Sequence, residues 1–172
     1  MKKVEHGKTF DRNAANPPAF EIFHNTVTEG YPKHWHTAIE IIMPTRGEYE
    51  VVVGKDSYNL KEGDIIMINS GVVHGMRFVS QGERIVMLVE PGCVENQEEM
   101  ETIFLRLPAI YFKKEDEEDP FYLFLRSQIL ELVREYDNEG AVMTHRICTG
   151  LKELFSEFGR KGFSDCLLYT SP

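Results

Sequence analysis

Residues 34–76 read "HWHTAIEIIMPTRGEYEVVVGKDSYNLKEGDIIMINSGVVHGM", and their short apolar runs broken by turn residues decide the fold class. "AIEIIM", "EYEVVV" and "DIIMI" are rich in Ile, Val and Tyr, which suit a pleated, half-buried surface. "PTRG", "GKDS", "KEG" and "NSG" between them supply the Gly, Pro, Asn, Asp and Ser that close turns. The same pattern extends outward to "FEIFHNTVT" on one side and "RIVMLVE" on the other. Residues 20–112 are therefore expected to form a mainly β sandwich or barrel of many short strands.

The stretch opens with two of the chain's six histidines. Side chains alternate faces along a strand. An extended segment from 34 to 40 would point His34, His36 and Glu40 one way, and Trp35 and Ile39 the other. His74, in or beside a later strand, is the fourth candidate. Three imidazoles and a carboxylate converging inside a barrel suit a divalent transition metal. Open coordination positions would remain for water or a ligand. The same side chains also suit direct contact with an organic ligand, or a hydrogen-bonded polar lining without metal. Tyr49 alternates with Val51 and Val53 and is expected to face inward, where its ring can stack on a sugar or fill the core. His24 shares a strand face with Phe20 and Ile22; it is a candidate for the pocket mouth or a core histidine. Trp35 is expected outside the pocket, and His6 and His145 at the surface.

After residue 112 the period changes. Residues 118–160 predict an antiparallel helical hairpin. Asp119 is placed to cap the first helix, with Pro120 at its first position. Phe121, Phe124, Leu125, Ile129, Leu132, Val133 and Tyr136 form its apolar stripe. Gly140 separates it from a second helix with the stripe Met143, Ile147, Leu151, Leu154, Phe155 and Phe158, expected to end between Gly159 and Gly162. "CVENQEEMETIFLRLP" (93–108) has room for a further short helix. Residues 1–19 are polar and carry Pro17-Pro18, which favours an extended arm. "FSDCLLYTSP" (163–172) breaks the pattern. It resembles translated adapter read-through and is expected to be a non-native tail.

The 172 residues are 42% apolar and 27% charged, an ordinary globular balance. No apolar run is long enough for a membrane helix, and no apolar segment follows the basic start to make a signal peptide. Cys93, Cys148 and Cys166 are odd in number and widely spaced, so neither a disulfide framework nor a C-x-x-C metal site is indicated. A reducing, cytoplasmic setting is expected. With 19 basic against 28 acidic residues the net charge is −9, and no basic cluster offsets it. That argues against nucleic-acid binding by this chain alone. No paired nucleophile and base is evident, nor a G-x-x-x-x-G-K-[ST] phosphate loop.

Gly30, His34, His36, Glu40 and Gly47 together resemble the first motif of the cupin superfamily. Gly63, Asn69, Gly71 and His74 resemble its second. Gly30 stands closer to His34 than that motif has it, Asn69 replaces a proline and Phe78 replaces an asparagine. The four metal-ligand positions are all filled. The arm, barrel and helix pair further resemble the N-terminal part of arabinose-regulator (AraC) type transcription factors. That resemblance implies a cupin double-stranded β-helix that senses a small molecule, often a carbohydrate, and a helical hairpin that makes a homodimer. It implies DNA contact only through a C-terminal helix-turn-helix domain outside this chain. The alternatives are a stand-alone metal-dependent cupin enzyme, a dioxygenase or isomerase, and a metal-free carbohydrate-binding module.

Overall fold

The computed structural model describes residues 19–26, 30–93, 108–116, 118–138 and 140–166, with residues 116 and 158–166 described by their backbone alone. The arm with His6, the short helix expected over 93–108 beyond Cys93, the Phe158 side chain and the tail from 167 onward lie outside the described residues.

Among the described residues, nine strands precede two long helices: β1 (Phe20–Asn25), β2 (Tyr31–His34), β3 (Ile39–Arg46), β4 (Tyr49–Val53), β5 (Asp56–Leu60), β6 (Ile65–Ile68), β7 (His74–Phe78), β8 (Glu83–Val89) and β9 (Ala109–Phe112), then α1 (Pro120–Asp137) and α2 (Met143–Cys166). The strands form a five-stranded sheet in the order β1-β8-β3-β6-β9 and a four-stranded sheet in the order β2-β7-β4-β5. Every pairing is antiparallel.

Alternation divides the five-stranded sheet into two apolar faces. Ile42, Ile66, Ile68, Ala109 and Tyr111 meet Tyr49, Val51, Val53, Tyr58 and Met76 of the other sheet in the barrel interior. Ile39, Ile41, Met43, Ile65, Met67, Ile85, Met87 and Val89 face outward and pack against the helices. This explains why β3, β6 and β8 read as nearly continuous apolar runs: both of their faces are covered.

Helix α1 begins as its sequence dictates. Asp119 Oδ1 accepts a hydrogen bond from the Phe121 backbone N–H at 2.8 Å, and Pro120 occupies the first turn. Its buried line is Tyr122, Leu125, Ile129 and Leu132, matched on α2 by Ile147, Leu151, Leu154 and Phe155. The stripe is thus centred on Tyr122, with Phe121, Phe124, Val133 and Tyr136 half-buried at its flanks. The Tyr122 hydroxyl explains the shift: it donates to Gly63 O at 2.8 Å and fixes the helix to the β5–β6 turn. Helix α2 continues past Gly159 and Gly162 to Cys166. A glycine within a helix costs only about 1 kcal/mol relative to alanine, which slows but does not stop propagation.

Candidate functional site

The segment from His34 to Glu40 is not one strand. β2 ends at His34, the chain bends at Thr37 and Ala38, and β3 begins at Ile39. β2 belongs to the four-stranded sheet and β3 to the five-stranded one. The candidate ligands therefore converge because the chain crosses between sheets, not by simple alternation. His34 lies opposite His74 in the β2–β7 pair, and Glu40 lies between Ile68 and Leu88 on the interior face of β3. The Gly71 N–H donates to His36 O at 2.8 Å and holds the crossing segment beside the β6–β7 turn. Gly71 does so at φ +73°, a conformation that disfavours any residue with a Cβ.

One potential ligand atom from each of His34, His36, Glu40 and His74 falls within 4.8 Å of all the others. His36 Nε2 and His74 Nε2 each stand 3.0 Å from Glu40 Oε2. The rings of His34 and His74 are 4.5 Å apart between centroids, and those of His36 and His74 are 5.0 Å apart. His36, Glu40 and His74 are buried while His34 is exposed, so the cluster opens to solvent on the His34 side.

The second nitrogen of each ring is held by backbone. Nδ1 of His34 donates to Pro32 O at 2.9 Å, that of His36 to Ala38 O at 2.9 Å and that of His74 to Val72 O at 2.8 Å. A carbonyl oxygen only accepts, so Nδ1 carries the proton and Nε2 of the neutral ring presents its lone pair. This is how metal-binding histidines are oriented by their surroundings. The donor set of three imidazole nitrogens and one carboxylate suits a divalent transition metal. The residues present therefore fit such an ion, with Glu40 supplying the negative charge.

The electrostatics are those of a tightly coupled cluster. Burial would raise the Glu40 carboxyl, but hydrogen bonds from His36 and His74, with the charge those rings carry, outweigh it and hold Glu40 at about 2. For His74, burial disfavours the charged ring, yet the Glu40 hydrogen bond and charge, helped by the Val72 carbonyl, leave it raised above 6.5. A ring whose Nδ1 is committed can donate from Nε2 to Glu40 only when doubly protonated. A bound cation would take the place of that proton.

Tyr49 is inward-facing and fully buried, as its alternation with Val51 and Val53 requires. It pairs with Phe78, whereas His74 pairs with Val53, so Tyr49 lies four residues, about 13 Å, from the histidine cluster. His24 requires a correction. It lies opposite Ile85, on the outer face that carries Phe20 and Ile22, and its Nε2 is 3.9 Å from Glu83 Oε2. That places it away from the interior and the pocket mouth, because β1 presents Phe23 and Asn25 inward instead. Trp35 is 54% exposed, outside the pocket, and His145 is exposed.

Sequence reasoning missed Arg84. It is fully buried, lies on the interior face with Val86 and Leu88, and sits opposite Asn25. Its guanidinium carbon is 4.8 Å from the Tyr49 ring centre and 5.6 Å from that of Tyr31. Asn25 Nδ2 in turn donates to the Tyr31 hydroxyl at 3.1 Å. Strand alternation in "RIVMLVE" was the available signal, since it puts Arg84 on one face with Val86 and Leu88.

Two antiparallel sheets enclosing an interior, with three histidines and a glutamate gathered at one end, define a cupin-type fold followed by two helices. Residues 25–90 match the family Cupin_2, described as a cupin domain, so a cupin domain is present. No curated protein matches the chain in sequence. Among solved structures, the chain is similar to apo ToxT from Vibrio cholerae at 12% identity and a TM-score of 0.55, covering 91% of this chain and 61% of that one. It is also similar to the conserved protein SPY1581 of unknown function from Streptococcus pyogenes, at 17% identity and a TM-score of 0.41, covering 53% and 94%. Oxalate decarboxylase OxdC of Bacillus subtilis matches at 18% identity and a TM-score of 0.36, covering 41% and 20%. The chain thus spans about three fifths of ToxT and one fifth of OxdC. Among the described residues, no helix is long and apolar enough to cross a membrane.

Proposed function

We propose that this chain is the ligand-sensing and dimerisation part of an AraC-type transcription regulator of the cytoplasm. A small molecule, a carbohydrate being the leading class, would bind in the barrel at His34, His36, Glu40 and His74, with or without a divalent metal. DNA would be contacted by a helix-turn-helix domain outside these residues. One observation carries the reading. Glu40 faces the cluster while its neighbours Ile39 and Ile41, on the same strand, face outward into the core shared with α1 and α2. A ligand drawing on Glu40 is thereby one strand's thickness from the helices. A sensor needs such a connection, because an effector shifts an equilibrium only through contacts that differ between two states. The likeness to ToxT, an AraC-family regulator, supports this at the level of the fold, since it extends through the helices.

The second reading, a metal-dependent cupin enzyme, draws on the complete set of three histidines and one glutamate and on its open side at His34. Bound metal would supply Lewis-acid or dioxygen chemistry there. The two readings separate on purified protein. Metal content is measured, then simple sugars are titrated by calorimetry while the oligomeric state is followed by sedimentation. The sensor reading predicts a dimer and reversible binding with the sugar recovered unchanged. Stoichiometric metal with consumption of dioxygen or isomerised product would replace it with the enzyme. Sugar binding by a monomer would replace it with a carbohydrate-binding module.

A further inference from the structure

Two half-buried free cysteines, far apart in sequence, come together where the barrel meets the second helix. Cys93 closes the 3-10 turn Pro91–Cys93 that follows β8, and Cys148 lies in the second turn of α2. The turn packs directly on α2. Both side chains rest on the same apolar cluster between sheet and helices. The Cys93 thiol donates to Ala19 O at 3.1 Å, and Cys148 is its neighbour across the contact between turn and helix. Among the described residues, neither thiol belongs to the histidine–glutamate cluster, and neither has a role in the proposed sensing.

We propose that Cys93 and Cys148 form a reversible disulfide that fastens the second helix to the end of β8. The oxidant is a low-molecular-weight disulfide. Cys148 gives up its proton and attacks one sulfur of the oxidant, forming a mixed disulfide and releasing one thiolate, which takes up a proton. Cys93 then gives up its proton and attacks the Cys148 sulfur. The mixed disulfide breaks, the second small thiol leaves, and the intramolecular bond forms. Two protein thiols lose two electrons and two protons, and the small disulfide gains both.

The order of attack follows from the surroundings. Burial, followed by the adjacent Cys148 and the Glu90 charge, pushes Cys93 up to about 11 against a smaller opposing pull from Lys152. Only a thiolate attacks a disulfide, so burial disfavours Cys93 as the first attacker and suits it to the resolving step. The bond would close a loop that includes β9 and all of α1. It would hold the hairpin in one position relative to the barrel, whatever the barrel binds. The proposal stands independently of the regulator reading.

The test uses the full chain, reduced, then equilibrated with oxidised glutathione, alkylated with iodoacetamide and digested without reductant. The expected result is a loss of two hydrogens and a linked peptide joining Cys93 to Cys148. Cys166 would remain the one alkylated cysteine. Dithiothreitol should reverse the change, and Cys166→Ser should form the same link with no thiol left to alkylate. The thermal midpoint should rise on oxidation and fall back on reduction. Glutathione retained on Cys148 with Cys93 still alkylated would overturn the proposal. A link through Cys166 or between two chains would overturn it equally.

Discussion

His74 and Glu40 stand on different sheets and 34 residues apart, yet His74 Nε2 lies 3.0 Å from Glu40 Oε2. The same oxygen receives His36 Nε2 at 3.0 Å. One carboxylate oxygen is thus shared by two rings whose other nitrogens are held by backbone carbonyls. That arrangement ties the sheets together at one end of the barrel and makes Glu40 the charge on which the site depends.

Metal affinity should therefore fall most on losing Glu40. Titration of the chain with Ni²⁺ or Mn²⁺ by calorimetry is expected to give one site, and Glu40→Gln is expected to weaken it at least about tenfold. Equal affinity in wild type and variant would remove Glu40 from the ligand set.

The pH dependence of stability should change sign when metal is added. In metal-free protein Glu40, depressed to about 2 from 4.5, stabilises above pH 4.5 and loses that contribution as pH falls toward 2. His74, raised above 6.5, stabilises fully below pH 6.5 and loses that contribution as pH climbs through its folded value. The thermal midpoint of chelator-treated protein is expected to be highest between pH 4.5 and 6.5. Metal binds deprotonated rings, so its added stabilisation should instead grow above pH 6.5. Parallel pH curves with and without metal would contradict the assignment.

At the other end of the barrel, Tyr49→Phe should be neutral or slightly stabilising. The Tyr49 hydroxyl is buried with no hydrogen-bond partner among the described residues, and a buried unsatisfied polar group costs free energy. Its ring beneath Arg84 is retained in phenylalanine. Arg84→Ala, by contrast, removes a buried cation stacked on that ring and is expected to cost roughly 2–4 kcal/mol in urea unfolding. Similar losses from the two variants would refute this account.

Asp64 should matter to stability without touching the ligand site. Its Oδ2 accepts from the Tyr111 hydroxyl at 2.6 Å and the Lys61 N–H at 2.9 Å, and its Oδ1 accepts from the Lys114 N–H at 2.8 Å. Asp64→Ala removes the acceptor of all three donors; the Tyr111 hydroxyl keeps Asn59 O at 3.1 Å, so the expected cost is about 2 kcal/mol. Metal affinity measured on the folded fraction should be unchanged.

The strands were legible because apolar runs and turn residues alternate so regularly between 20 and 91, and the helix cap at Asp119 and Pro120 is a local signal. Glu40, His36 and His74 were legible as a group through their spacing and residue type. The crossing between sheets at Thr37 and Ala38 was not, since it depends on pairing with strands more than thirty residues away. For the same reason the pocket mouth stayed open as a place for His24, although the face it shares with Phe20 and Ile22 is the one the structure shows. Its face is set by register with Ile85, and which face of β1 points inward is a tertiary fact. Tyr122 looked like one aromatic among several until its hydroxyl met Gly63 O, a partner 59 residues away. Arg84 was passed over because a charge in a strand usually marks the solvent face.

The most direct measurement is to sequence the source DNA beyond the codon for Gly162. The regulator account predicts an open frame that continues for about another hundred residues with a basic helix-turn-helix pattern. A stop codon soon after Gly162 would contradict it, leaving the barrel without an attached DNA-binding output.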